Sequence, residues 1–160
     1  MRRHRCVPFA AVLLWSLSAG SLGSGLAQEE ESPLISSVDL LDGLKNPERW
    51  LTYSGDYTGQ RHSPLKQINP ENVRNLSARW TFQTDTTARG RGFESAPLVL
   101  DGVMYVTGPN GFAWALDART GRSFWRYRRE LPNNLTYGAS APVNRGFAAL
   151  RDRLFMTTLD

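Results

Sequence analysis

Two side chains in this 160-residue sequence stand where their types invite chemistry. Glu94, in "GFESAPLVLDGVMYVTG", sits just ahead of an apolar hairpin and outside its pattern. Arg145 stands between Asn144 and Gly146 in "PVNRGFAAL". A carboxylate accepts hydrogen bonds, or donates one when protonated. A guanidinium offers a planar fork of donors that stays charged. Residue type alone gives each a blander role: a lone Glu before a strand is ordinarily edge chemistry, and an Arg between Asn and Gly an exposed loop residue.

The elements that must position them read as short strands. Leu98, Val99 and Leu100 run into Asp101-Gly102 and then Val103, Met104, Tyr105 and Val106, which predicts two strands around a tight turn. Further strand candidates are "SARWTFQT", "FAWALDA", "RSFWRYRR" and "FAALRDRLFMTTL", each bounded by Gly, Pro, Asn or Asp. No long helical pattern separates them, so the chain is predicted all-β. Residues 50–75 are rich in Gly, Pro, Asn, Tyr and Ser and predict turns. Residues 28–48 are acidic and polar, with Leu40, Leu41 and Leu44 spaced for a short amphipathic helix, and read as a lead-in segment.

A weak repeat appears when "DGVMYVTG" from Asp101 is laid over "DRLFMTTL" from Asp152. That interval of about fifty residues suits a four-stranded propeller blade. Trp80 and Trp125 close comparable segments about one blade apart. In "ALDARTGRSFW", Asp117 and Thr120 satisfy a turn, Gly121 takes a positive φ, and Trp125 is expected to pack across to the neighbouring blade. The pattern predicts about two blades and the first strands of a third, fewer than the roughly three repeats that stability needs. The sequence stops at "FMTTLD", where a strand should turn into its partner, so a truncated chain is expected.

The first 27 residues have a basic head (Arg2, Arg3, Arg5), an apolar stretch from Val7 to Leu17 and a small-residue end at Gly25-Leu26-Ala27. This is the layout of a secretory signal peptide, with a span short of the roughly 20 residues a bilayer crossing needs. Its removal takes three of the 19 Lys and Arg and none of the 15 Asp and Glu. The formal charge then falls from +4 to 16 against 15, a net +1, which removes the electrostatic case for a nucleic-acid partner. Cys6, the only cysteine, leaves with it, so the mature chain is held by packing without disulfides. A periplasmic or secreted location is expected.

Together "WLTYSGDYTGQRHSPLKQINPENVRNLSARWTFQT", "ESAPLVLDGVMYVTGPNG", "ALDARTGRSFWRY" and "PVNRGFAALRDRLFMTTLD" resemble, in order and spacing, the N-terminal part of the pyrroloquinoline-quinone (PQQ)-dependent alcohol dehydrogenases. The resemblance covers residues 49–160. It implies the first blades of an eight-bladed quinoprotein propeller with tryptophan-docking repeats, and PQQ near the axis beside a calcium or lanthanide ion. Glu94 matches the acid of the family's E-x-x-P-L-V-V-D-G segment and Arg145 the arginine of V-N-R-G, and both are implied to bind the cofactor. The Arg145 fork suits an anionic quinone and negative charge developing on its oxygens. Since that cofactor carries three carboxylic acids, Glu94 is expected to be neutral in the loaded site and to donate a hydrogen bond.

In the family the catalytic aspartate and the metal ligands lie further along the chain, so both are expected beyond residue 160, and residues 1–160 alone are expected to be inactive. The implied activity is oxidation of an alcohol to an aldehyde by hydride transfer to PQQ, with cytochrome c or a membrane quinone as acceptor. Where the family often has adjacent cysteines against the quinone, this chain has Ala139 and Ser140. A second reading is a non-catalytic PQQ-repeat propeller serving as an envelope assembly scaffold. It gives no use to Glu94 and Arg145, and Ala27-Gln28 lacks the lipid-anchoring cysteine common there. A third, a lectin-like or generic β domain, explains none of the ordered motifs.

Overall fold

A computed structural model describes residues 34–84, 86, 93–135 and 143–160, all in the unit Ser32–Asp160. The expected signal peptide, and Ala139 with Ser140, lie outside the described residues. Four strands, β1 (Leu98–Leu100), β2 (Val103–Thr107), β3 (Phe112–Asp117) and β4 (Ser123–Arg128), form an antiparallel sheet in the order β1-β2-β3-β4. A second sheet pairs β5 (Ala148–Leu150) with β6 (Arg153–Phe155). The all-β expectation holds, with one four-stranded blade and one further hairpin among the described residues, where about two blades and the first strands of a third were expected.

The β1–β2 turn uses Asp101 (φ 49°) and Gly102 (φ 77°), the two left-handed residues a tight hairpin demands. Arg151 (φ 55°) fills the corresponding place between β5 and β6. The pairs Leu98–Tyr105 and Leu100–Val103 match Ala148–Phe155 and Leu150–Arg153. Arg151 therefore lies on Asp101, and Asp152 on Gly102. This corrects the sequence overlay, which put Asp152 on Asp101: the left-handed backbone position repeats, and the acid does not.

Each face of the four-stranded sheet has its own packing. On one, Tyr105 of β2 and Trp125 of β4 meet above Ala115 of β3, ring centroids 6.1 Å apart, because alanine leaves room for both. On the other, Phe112, Trp114 and Leu116 are buried with Met104 and Phe82. "SARWTFQT" forms no strand. It docks through side chains, with Phe82 edge-on to Trp114 at 6.1 Å. The indole of Trp80 lies over Gly121 (φ 73°) and donates to the Ala118 carbonyl at 3.1 Å. Asp117 accepts from the Arg119 and Thr120 amides, both at 2.9 Å, as the turn motif predicted. The docking tryptophan at this turn is Trp80, since Trp125 is engaged with Tyr105 on its own sheet.

The lead-in contains the expected helix, α1 (Ser37–Leu41), with Ser36 and Asp39 closing a capping box. It is less polar in role than in composition. Ile35 exchanges both backbone hydrogen bonds with Arg151, and Trp50 both with Val99. Ile35 and Leu51, each 2% exposed, pack with Leu98 and Ala149 between the two sheets. Arg49 adds a two-nitrogen grip on Asp101 at 3.0 and 2.9 Å.

At Gly121 a β-carbon would come within 2.5 Å of the Trp80 ring, on a backbone that already disfavours side chains. Gly121→Ala is expected to cost about 1–3 kcal/mol, read by urea unfolding with tryptophan fluorescence. A hydrogen bond from Arg129 holds the Asp160 carboxyl down to about 2, from the usual 3.8. That stabilisation is complete above the ordinary carboxylate range and is lost as pH falls toward 2. Arg129→Gln should therefore lower the melting temperature at about pH 5 and leave it near wild type at about pH 2, by circular dichroism.

Candidate functional site

Glu94 is fixed by its neighbours on both sides. Phe93 leans on Trp114, ring centroids 5.8 Å apart. Ser95 accepts from the Thr107 amide at 3.3 Å and from its hydroxyl at 3.0 Å, and Thr107, at the end of β2, is fully buried. Residue 94 thus lies ahead of β1 between an aromatic anchor and a buried tether. The hairpin that the sequence offered as apolar packing sets where this carboxylate points.

Arg145 is held from the second sheet. The Asn144 side chain accepts from the Gly146 amide at 2.9 Å and donates to the Thr157 carbonyl at 2.7 Å, which pins the V-N-R-G turn onto the chain after β6. The two sheets join where Ala96 pairs in parallel with Gly146, and the Ala96 amide donates to the Arg145 carbonyl at 3.1 Å. Gly146 has φ 128°, and a β-carbon there would lie 2.6 Å from the Ala96 oxygen. Only glycine permits this approach.

Across that junction the Arg145 Nη2 lies 3.0 Å from Glu94 Oε2. Arg145 is 69% exposed and Glu94 25%. An ion pair that open to water contributes about 0–1 kcal/mol, so it does not hold the sheets together. The backbone bond and its tethers do that, and the ion pair results. Both predicted site residues are thus brought to one point from different sheets, and the negative charge of Glu94 has a partner within the chain.

Glu94 opens onto a cleft of about 440 Å³ lined also by Trp50, Tyr53, Arg61, Ser95 and Pro97. Arg145 borders a second, smaller cavity of about 110 Å³ with Asn144, Thr157 and Thr158. Sequence reasoning assigned Arg61 and Tyr53 no role of their own: they lie in a segment of the family resemblance whose composition reads as turns. Among the described residues, no group of three His, Cys, Asp or Glu side chains is gathered to hold a metal ion. Gly146→Ala is expected to destabilise the chain by about 1–3 kcal/mol. It should also speed hydrogen exchange at the Ala96 amide, because the bond to Arg145 cannot survive the added methyl group.

Comparison with known proteins places this chain in a family. Residues 50–160 match the family model of the PQQ "Glucose/ethanol/alcohol dehydrogenase, beta-propeller domain". The dehydrogenase subunit of alcohol dehydrogenase (quinone) from Gluconacetobacter polyoxogenes is 42% identical over 153 residues, which cover 91% of this chain and 20% of that protein. Quinohemoprotein alcohol dehydrogenase ADH-IIG from Pseudomonas putida is 35% identical over 151 residues, covering 94% of this chain and 20% of the relative. The solved structure of ADHIIG from Pseudomonas putida HK5 superposes with a TM-score of 0.68 at 35% identity, over 78% of this chain and 18% of that one. A europium-containing methanol dehydrogenase gives 0.63 at 29% identity, over 76% and 21%. The chain spans about a fifth of the length of these curated relatives. It belongs to the PQQ-dependent alcohol dehydrogenase family and carries part of that family's β-propeller.

Proposed function

We propose that this chain supplies the Glu94–Arg145 side of the quinone site of an exported, periplasmic PQQ-dependent alcohol dehydrogenase. The observation that carries the reading is the meeting of Glu94 and Arg145, at 3.0 Å, beside a cleft walled by Trp50 and Tyr53. Aromatic faces and a guanidinium fork suit a flat, carboxylated ring system. Bound there, PQQ would accept the hydride that leaves the alcohol carbon. Arg145 then presents its in-plane donors to anionic oxygens and to charge that develops on them. Glu94 pairs with the Arg145 guanidinium at 3.0 Å and balances its charge. The catalytic aspartate and a calcium or lanthanide ion complete the site in the intact enzyme, and a small alcohol is the substrate. The names of two relatives from Thauera butanivorans, 1-butanol dehydrogenase (cytochrome c) and 1-butanol dehydrogenase (quinone), support an acceptor of one of those two kinds.

The test is a PQQ titration of the full-length gene product, followed by tryptophan fluorescence, alongside alcohol oxidation with and without the quinone. Binding by the wild type is expected, with affinity about tenfold to a hundredfold weaker in Arg145→Gln. Glu94→Gln should not weaken binding, because it removes a charge that repels the anionic quinone and leaves the Arg145 donors in place. Failure of the wild type to bind PQQ, or unchanged affinity in Arg145→Gln, contradicts the reading.

A further inference from the structure

We infer that Arg61 is a second guanidinium of the Glu94 cleft, placed to recognise a carboxylate on the ligand that enters it. This rests on the quinone-site reading above. Arg61 lines the same cleft as Glu94 and Tyr53. Its guanidinium carbon stands 4.9 Å from the centroid of the Tyr53 ring. A cation–π contact of this kind uses no oxygen or nitrogen acceptor and leaves guanidinium N–H donors for one. Tyr53 therefore orients Arg61 without consuming its hydrogen bonds.

The charge balance of the cleft points the same way. The single carboxylate among its described lining residues, Glu94, is matched by Arg145. Among the described residues Arg61 forms no ion pair, so its charge is the surplus one. The backbone supplies a third observation. Arg61 holds φ 55°, a region that glycine and asparagine enter more cheaply than arginine. That turn sets the long side chain over the Tyr53 ring at the cleft wall.

The carboxylate could belong to PQQ or to an alcohol substrate that carries an acid group, and the experiment separates these sources. Arg61→Asn, which tolerates the left-handed backbone, and Arg61→Lys, which keeps the charge, are made in the full-length gene product. Each is titrated with PQQ and with its trimethyl ester. Arg61→Asn is expected to weaken PQQ binding about tenfold and leave the ester unaffected, with some of the loss restored in Arg61→Lys. Unchanged PQQ binding with KM raised for hydroxy acids and not for simple alcohols assigns the carboxylate to the substrate. Equal loss for PQQ and its ester, or no change in affinity and none in KM, overturns the inference. A wild type that binds no PQQ overturns the quinone-site reading and this inference with it, whereas a normal wild type with indifferent Arg61 variants overturns this inference alone.

Discussion

The close approach of Ala96 to Gly146 is the constraint on which the rest of this site depends. One backbone hydrogen bond joins a residue two positions after Glu94 to the carbonyl of Arg145 itself. It forms because Gly146 has no β-carbon to strike the Ala96 oxygen. Any side chain at that point would push apart the carboxylate and the guanidinium, which sit 3.0 Å from each other. The ion pair is too exposed to impose the geometry, so causality runs from backbone packing to charge pairing.

Around that junction the structure devotes little of its sequence to chemistry and much to bracing. Phe93 on Trp114, Ser95 on buried Thr107 and Asn144 on the Thr157 carbonyl each fix one neighbour of a site residue. The segment from Ile35 to Leu51 works at longer range. By bonding to Arg151 of one hairpin and Val99 of the other, and filling the space between with Ile35 and Leu51, it ties the two sheets at a second level. Site geometry is therefore a property of the sheet-to-sheet interface, consistent with repeat units that bury their faces only against each other.

Much of this was legible in the residues. Asp101-Gly102 between apolar runs announced its hairpin, and Asp117, Thr120 and Gly121 announced their turn, because both rest on local backbone demands that few residue types meet. The family match singled out Glu94 and Arg145, whose residue types alone pointed to ordinary surface roles. What stayed hidden depends on partners distant in sequence. Nothing local says that Trp80 and not Trp125 covers Gly121, that "SARWTFQT" docks without joining a ladder, or that Ile35 in a polar stretch is core. The overlay of Asp152 on Asp101 failed for a related reason: the left-handed position is filled by Asp in one hairpin and Arg in the other. Arg61 was illegible because its place beside Glu94 comes from tertiary packing.

If Glu94 and Arg145 act as one unit, their substitutions cannot be independent. The most direct measurement is a double-mutant cycle on PQQ affinity in the full-length gene product, using Glu94→Gln, Arg145→Gln and the double variant. Removing Arg145 beside an intact Glu94 leaves an acid whose charge repels the anionic quinone, whereas in the Glu94→Gln background that charge is absent. The account predicts a clearly smaller loss from Arg145→Gln in the Glu94→Gln background than in the wild type. Equal losses in both backgrounds would mean that the two residues do not share a site, and would contradict it.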